Sequence, residues 1–94
     1  MLTLRAILFA TAAELDMSPR AIVARSWASS PESKARQIAM WVYYLHHPKN
    51  YGAPLADFFS REISTVFHNV RRMRTLVKQD PKLARCVKNI KKRL

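Results

Sequence analysis

Apolar residues recur at every third or fourth position through most of this chain, which is the spacing of amphipathic α-helices. Short polar breaks separate the periodic stretches, and three of these breaks contain a serine or an aspartate followed directly by proline. A capping side chain before a proline at the first helical position is typical of a helix start. The pattern therefore predicts an all-α chain of about six helices.

The first three helices are predicted from their caps and their apolar stripes. Thr3 is the expected cap of the first helix, and Ser18 and Ser30, each followed by proline, are those of the second and third. The expected buried residues are Leu4, Ile7, Leu8, Thr11 and Leu15 in the first helix and Ala35, Ile38, Ala39, Val42 and Leu45 in the third. A signal peptide is the alternative for the start of the chain, but acids directly follow its short apolar run, which makes a poor cleavage region.

The second half of the chain predicts a short helix, a polar break and a long helix. The short helix begins near Pro54, and its expected buried side is Leu55, Phe58 and Phe59. The break falls at residues 60–62. The long helix, roughly 63–79, is expected to bury Val66, Val70, Met73 and Val77. A basic last helix covers about 81–93, and residues 1–94 form one domain.

Positive charge is concentrated at the C-terminal end of the chain. The formal net charge is +11 at pH 7, and residues 61–94 hold eleven of the 17 Lys and Arg residues against two acids. Such a field in one part of a small domain is typical of proteins that meet a polyanion, an acidic partner or an acidic membrane. No window approaches the length of an apolar membrane span, so no membrane partner is expected.

The residue types for other chemistry are scarce. Cys86 is the only cysteine, which excludes an intramolecular disulfide and a cysteine metal cluster and agrees with a cytoplasmic protein. The single glycine excludes a glycine-rich phosphate loop. His46 and His47 are adjacent and face different ways on a helix, and nothing supplies a nucleophile beside His68. We therefore expect no enzyme activity, no metal and no cofactor.

The polar side of the long helix carries residue types that read DNA. Off the apolar stripe lie Ser64, Thr65, His68, Arg71 and Arg72. Hydroxyls and an imidazole near a helix N-terminus reach base edges in a major groove, and arginines one turn later reach phosphates. A short helix, a tight turn and such a helix together predict a helix-turn-helix. The competing interpretation is a solvated cationic face with a capping Ser-Thr pair.

Three segments in this order, KARQIAMWVYYL, PLADFF and STVFHNVRRM, resemble the C-terminal DNA-binding domain (domain IV) of the bacterial replication initiator DnaA. The matching positions are Arg36, Gln37, Ala39, Met40, Thr65, Val66, His68, Arg71 and Arg72. The resemblance is strongest over 34–76 and extends more weakly over 12–94. It implies a helix-turn-helix domain that docks its recognition helix in the major groove of double-stranded DNA.

The resemblance and the polar side of the long helix together assign two groups of DNA-contacting side chains. Those expected to approach bases are Glu62, Ile63, Ser64, Thr65 and His68. Those expected to hold phosphates are Arg36, Arg61, Arg71, Arg72, Arg74 and Lys78.

Three departures from the family bear on the target sequence. Glu62 and Ile63 stand where the family has an Asp-His pair that reads bases, and isoleucine offers only contact with a thymine methyl. Ser60 stands in the family's glycine-containing turn, which is one residue shorter here. The loop before the Arg-Gln helix has only Arg25 and Lys34 at its edges, where the family places arginines, one of which enters the minor groove. Related docking on a different target sequence is expected.

The resemblance also bears on the role of the chain. No phosphate-binding loop of the initiator's ATPase module occurs in it. The expected role is a stand-alone transcription regulator on the nucleoid, such as an activator of a phage-like gene transfer cluster, acting alone or with a second DNA-binding or transcription protein. The alternatives are the detached DNA-binding domain of an initiator and a module that binds an acidic protein through its basic surface.

The last helix and a few aromatic residues leave further alternatives. The apolar residues of the last helix have heptad spacing: Leu83, Val87, Ile90 and Leu94. Packing on the domain's own core is one interpretation, and a weak dimer or docking onto an acidic partner is the other. Trp27 and Tyr51 are candidate surface anchors for a partner, and Cys86 is expected to be a small buried residue.

Overall fold

Six helices make up most of the described chain. A computed structural model describes residues 3–24 and 30–94. Its helices are α1 (Leu4–Leu15), α2 (Pro19–Val23), α3 (Pro31–His46), α4 (Gly52–Phe59), α5 (Ile63–Gln79) and α6 (Pro81–Lys92). The all-α prediction is confirmed, and the predicted bounds of the long helix and of the last helix agree with α5 and α6 to within a residue. Arg25 and Trp27 lie outside the described residues.

The predicted caps define most of the helix starts. The Thr3 hydroxyl accepts a hydrogen bond from the Ala6 amide at 3.1 Å, and the Ser30 hydroxyl accepts one from the Ser33 amide at 3.1 Å. Asp80 accepts from the first amides of α6. Ser18 occupies the cap position of α2, but its side chain makes no capping hydrogen bond. The first N–H groups of a helix have no acceptor within the helix. A Ser, Thr or Asp side chain at the N-cap accepts from them, so these residue types mark the helix starts in the sequence.

The core is organised around α3, which packs against α1, α2, α5 and α6. Met40, Trp41, Val42 and Tyr43 are all buried there. Five residues predicted to be buried are less enclosed: Leu4, Leu15, Phe58 and Val77 are half-buried, and Leu45 is exposed. Their positions satisfy the helical period, but the period does not tell whether a neighbouring helix reaches far enough to cover them.

The apolar stripe of α6 packs on the domain's own core. Val87 and Ile90 are buried, Leu83 is half-buried against the same cluster, and Leu94 is exposed. The two central residues of the heptad seam, Val87 and Ile90, are therefore covered within the chain. Cys86 is half-buried, and burial raises the pKa of its thiol, with the charge of Glu14 adding to the effect.

A polar contact joins the end of α6 to α1. The Arg93 Nε donates to Glu14 Oε1 at 3.0 Å, and the Asn89 amide donates to Glu14 Oε2 at 3.2 Å. The hydrogen bond from Arg93, and then that from Asn89, holds the pKa of Glu14 below its usual value. Glu14 therefore favours the folded state in its ionised form.

Replacing Glu14 by glutamine is expected to make the protein slightly less stable at neutral pH and to make no difference in strong acid. A carboxylate with a depressed pKa stabilises the fold above its unfolded-state pKa of about 4.3, and that contribution is lost as the pH falls through the lower folded-state pKa. Urea unfolding at neutral and strongly acidic pH measures the difference. The control is Asp57→Asn, at an exposed acid of α4. A deficit of E14Q that persists in acid would contradict the prediction.

Ser60, at the end of α4, adopts a left-handed backbone conformation with φ 52° and ψ 50°. A residue with a Cβ is strained there, and glycine is not. Ser60→Gly is therefore expected to raise the free energy of unfolding by about 0.5–1 kcal/mol, and Ser60→Val to lower it. Asp16 has the same conformation after α1, but aspartate tolerates it better, so Asp16→Gly should stabilise less. Chemical unfolding tests this order, which a loss of stability in S60G would overturn.

Candidate nucleic-acid interface

A three-residue break separates α4 from α5. The Arg61 amide donates to the Ala56 carbonyl at 3.0 Å, and the Ser60 amide donates to the Asp57 carbonyl at 3.4 Å, which closes the end of α4. The chain then turns through Glu62, which is the N-cap residue of α5 in extended conformation. A helix of eight residues therefore leads through a tight turn into a helix of 17 residues.

The start of α4 packs directly on the first two turns of α5, and the only glycine of the chain makes this possible. A Cβ placed on Gly52 would lie 2.8 Å from Phe67 Cζ and 3.1 Å from Ile63 Cδ1, which is closer than side chains normally pack. Tyr51 packs edge-on against the Phe67 ring, with ring centroids 5.5 Å apart. These contacts set how far α5 stands out from α4. In the sequence, the solitary occurrence of this glycine is the only signal of this role.

The face of α5 opposite its core contacts points into solvent. Val66, Val70 and Met73 are buried on the inner side. The exposed side chains of α5 that sequence analysis assigned to DNA are Ser64, Thr65, His68, Arg71, Arg72, Arg74 and Lys78, with Ile63 at the first position. At about 100° per residue, Ser64, His68, Arg71 and Thr75 form one outward line along the helix, called the outward line below. Thr75 was missed, although its helical position alone places it there.

The five predicted base-reading residues are all exposed, but they are not equivalent. Glu62 caps α5 without a side-chain hydrogen bond to the helix. Ile63 packs against Gly52 at the start of α4 through its Cδ1 methyl group. The side chain is nevertheless 47% exposed and presents methyl groups to solvent. Ser64 and His68 belong to the outward line, and Thr65 lies beside it. Hydroxyls, an imidazole, a carboxylate and one apolar side chain thus occupy the first two turns of α5.

Three of the predicted phosphate-binding cations make no contact within the described residues that would occupy their charge. Within the described residues, Arg71, Arg72 and Lys78 are exposed and make no hydrogen bond or ion pair with another side chain. Such cations keep their full charge available to an anion from outside. Arg74 is held more firmly: its Nη2 donates to the Tyr44 hydroxyl at 2.6 Å, and its guanidinium lies 5.5 Å from the centre of the Tyr44 ring. Its charge is therefore positioned beside α5 by an aromatic residue of α3.

Arg61 serves mainly to hold the turn together. Its guanidinium donates to the carbonyls of Phe59 at the end of α4 and of Ser60 in the break, and to the Ala24 carbonyl at 3.4 Å. The side chain is half-buried. It therefore clamps the turn to the end of α2 and presents only part of its charge to solvent.

The prediction that Arg36 holds a phosphate is wrong in this structure. Arg36 is only 5% exposed, and its Nη1 donates to the Ile22 carbonyl at 2.8 Å and to the Ala24 carbonyl at 2.9 Å. The last carbonyls of a helix lack donors within the helix, and a guanidinium at the end of α2 supplies them. Burial lowers the pKa of Arg36, and the charge of Arg61 lowers it further. Arg36 therefore fastens α2 to α3.

The remaining candidates take structural positions. His46 Nδ1 lies 2.9 Å from the Val42 carbonyl, and the His47 ring stacks on Tyr43 at 4.4 Å between centroids. In the described ranges no three His, Cys, Asp or Glu side chains gather as metal ligands. Tyr51 is half-buried between Tyr44 and Phe67 and therefore belongs to the α4–α5 contact. No helix of the described chain has the length and apolar character needed to cross a membrane.

No protein-family model matches the chain, and no curated protein is significantly similar to it.

Proposed function

We propose that this chain binds double-stranded DNA, with α4, the turn at residues 60–62 and α5 acting as a helix-turn-helix and α5 as its recognition helix. The observation that carries the proposal is the solvent-facing side of α5, where hydroxyls and an imidazole at the N-terminal end continue into Arg71 and Arg72. A major groove about 12 Å wide accepts one helix of this kind, with its first turns against base edges. The resemblance of 34–76 to the DNA-binding domain of DnaA supports the same docking.

Side-chain chemistry determines which residues of this surface are suited to bases and which to phosphates. Ser64, Thr65 and His68 carry donors and acceptors that can distinguish base edges, whereas a methyl-bearing Ile63 favours thymine. Arg71, Arg72 and Lys78 lie further along α5 and are suited to phosphates, with the clamped Arg74 beside them. Glu62 adds a carboxylate that accepts hydrogen bonds from cytosine amino groups. Arg36 and Arg61, which donate to carbonyls at the end of α2, have a structural role in this proposal. Arg61 exposes only part of its charge.

The role we propose is transcription regulation on the nucleoid, of the kind exercised by activators of phage-like gene transfer clusters. One short helix face reads few bases, so useful specificity requires either a second site or a second DNA-binding or transcription protein. The detached DNA-binding domain of an initiator would use the same surface, and the target sequence distinguishes the two roles.

Selection of the purified chain on random duplexes at two salt concentrations tests the proposal. An enriched motif that relaxes in Thr65→Ala or His68→Ala, by about 1–3 kcal/mol of discrimination, is the expected result. Salt-sensitive binding without a motif would mean that the charge binds DNA while a partner chooses the site. Absence of binding at moderate salt would overturn the proposal.

A further inference from the structure

A second surface, distinct from the outward line of α5, lies where α3, α5 and α6 meet. A groove of about 480 Å³ opens there between the last turns of α3 and the length of α6. Apolar side chains form its floor: Trp41, Leu45, Val77, Ala84 and Val87. Lys88, Lys91 and Lys92, all exposed on α6, form its rim. This set of residues is called the α3–α6 groove.

Leu45 is the residue that makes this groove unusual. It continues the buried stripe of α3 at helical spacing, yet it is 38% exposed, and it lines the open groove. Large apolar side chains exposed beside other apolar surface typically mark a contact with another molecule. Part of the apolar floor of the groove is therefore exposed to solvent and available to another molecule.

The charge around the floor restricts what can complete it. The groove is lined by three lysines and by no acidic residue. A second copy of this chain would bring another net charge of +11 against it, which opposes self-association. A nucleic-acid backbone would satisfy the lysines, but it would leave the apolar floor without an apolar partner. A ligand that satisfies both features carries carboxylates beside an apolar stripe.

We propose that the α3–α6 groove binds an acidic amphipathic helix of a partner protein. Such a helix places apolar residues three or four positions apart into the floor, which is how helices occupy hydrophobic grooves. Its flanking aspartates and glutamates face the lysine rim, where opposite charge speeds encounter and sets orientation. The α3–α6 groove would thereby connect the chain to another protein independently of DNA.

The geometry leaves DNA and this partner on different sides of α5. Val77, which borders the groove, lies roughly 200° around the helix from Thr75 in the outward line. A partner in the groove therefore does not cover Ser64, His68 or Arg71. Both ligands can be held at once, which is the arrangement required of a module that recruits a protein to DNA.

The test uses the whole chain and a synthetic probe. The probe is a labelled peptide that places Leu and Phe at helical spacing between Glu residues, and binding is followed by fluorescence anisotropy and by amide chemical shifts of the labelled protein. We expect shifts centred on the groove. Leu45→Ser should weaken peptide binding about tenfold, and Lys88→Glu with Lys91→Glu should also weaken it about tenfold.

Matched controls separate docking from general attraction between charges. Lys82→Glu with Arg85→Glu makes the same change in net charge at exposed positions of α6 outside the groove, so it should weaken binding less than about threefold. A scrambled peptide of the same composition should not bind. Equal losses in the two double variants, equal binding of the scrambled peptide, or no binding would overturn the proposal.

The outcome is independent of the DNA-binding proposal. Leu45→Ser changes no charge and lies away from the outward line, so binding of random duplexes should be unchanged in this variant. A chain that binds the peptide in its groove but no DNA would refute only the proposed function. A chain that binds DNA but not the peptide would refute only the groove.

Discussion

Replacing Arg71 and Arg72 together by alanine is expected to weaken binding to all duplex sequences by roughly 30- to 150-fold. Both guanidiniums are exposed and without a partner in the described part of the chain. A hydrogen bond from each to phosphate contributes about 1–1.5 kcal/mol, so the loss of both corresponds to about 2–3 kcal/mol. Each phosphate contact also adds about 0.9 to the slope of log K against log salt, so the double variant should lose about 1.8 units of slope. Titration of fluorescent duplexes over a range of salt measures both.

The control for this variant is Lys82→Ala with Arg85→Ala, which removes two exposed cations from α6. The affinity of this control variant for DNA should fall slightly, because its net charge is lower. Its salt slope should stay close to that of the unchanged chain. Neither pair is buried, so unfolding free energies should stay within about 0.5 kcal/mol of the original. Equal losses of DNA affinity in the two double variants would show that binding depends only on net charge and that α5 is not the contact surface.

Replacing Arg36 by methionine is expected to destabilise the fold by about 2–4 kcal/mol. Methionine retains much of the apolar stem but removes the guanidinium that donates to the Ile22 and Ala24 carbonyls. Those carbonyls end α2 and lack donors within the helix, so the loss leaves polar groups unsatisfied beside the core. In a domain of this size such a loss lowers the melting temperature by roughly 10–20 °C. Urea unfolding and thermal melting followed by circular dichroism measure it.

The same variant tests the corrected role of Arg36. At a temperature where R36M is folded, its salt slope for DNA should equal that of the original chain, because a buried guanidinium neutralises no phosphate. Arg72→Met is the matched control: it should lose slope and keep its stability. If R36M instead kept its stability and lost about one unit of slope, Arg36 would be a phosphate contact after all.

The two arginines at the end of α2 hold together the helices that carry the candidate interface. Arg36 and Arg61 converge on the Ala24 carbonyl, one from the central helix and one from the turn before α5. Two positive charges stand side by side there, and the lowered pKa of Arg36 reflects its burial first and the neighbouring charge second. Their positions link α2, α3 and the turn. Substitutions at this junction should therefore affect the orientation of α4 and α5 rather than the chemistry of the contact surface.

Sequence pattern predicted the helices well because their causes are local. Thr3, Ser30 and Asp80 cap helices through amides within three residues, so the cap and the helix it starts are visible in one short stretch. The outward side of α5 also follows from its own period, since Val66 and Val70 determine which face is inside. The missed Thr75 was an omission, because the same period places it on the outward line.

The errors concern contacts between residues far apart in the chain. Leu45 fits the buried stripe of α3 but is 38% exposed, because it borders the open groove between α3, α5 and α6. Arg36 matches a motif associated with phosphate, but it is 14 and 12 positions from the two carbonyls to which it donates. Gly52 contacts Phe67 across the break. None of these distances is expressed in the periodicity of a single helix.

The sequence by itself determined that this protein is helical, where five of its six helices begin, that its charge lies towards the C-terminal end, and which side of α5 is polar. These properties depend on capping, proline and helical spacing, which act within a few residues. Only the tertiary structure decided which arginines remain available to an anion, why the single glycine is needed, and that an apolar groove stays open beside α6. Those outcomes depend on which helices meet and how closely, because packing and hydrogen bonding between distant segments decide whether the same side chain is buried or presented to solvent.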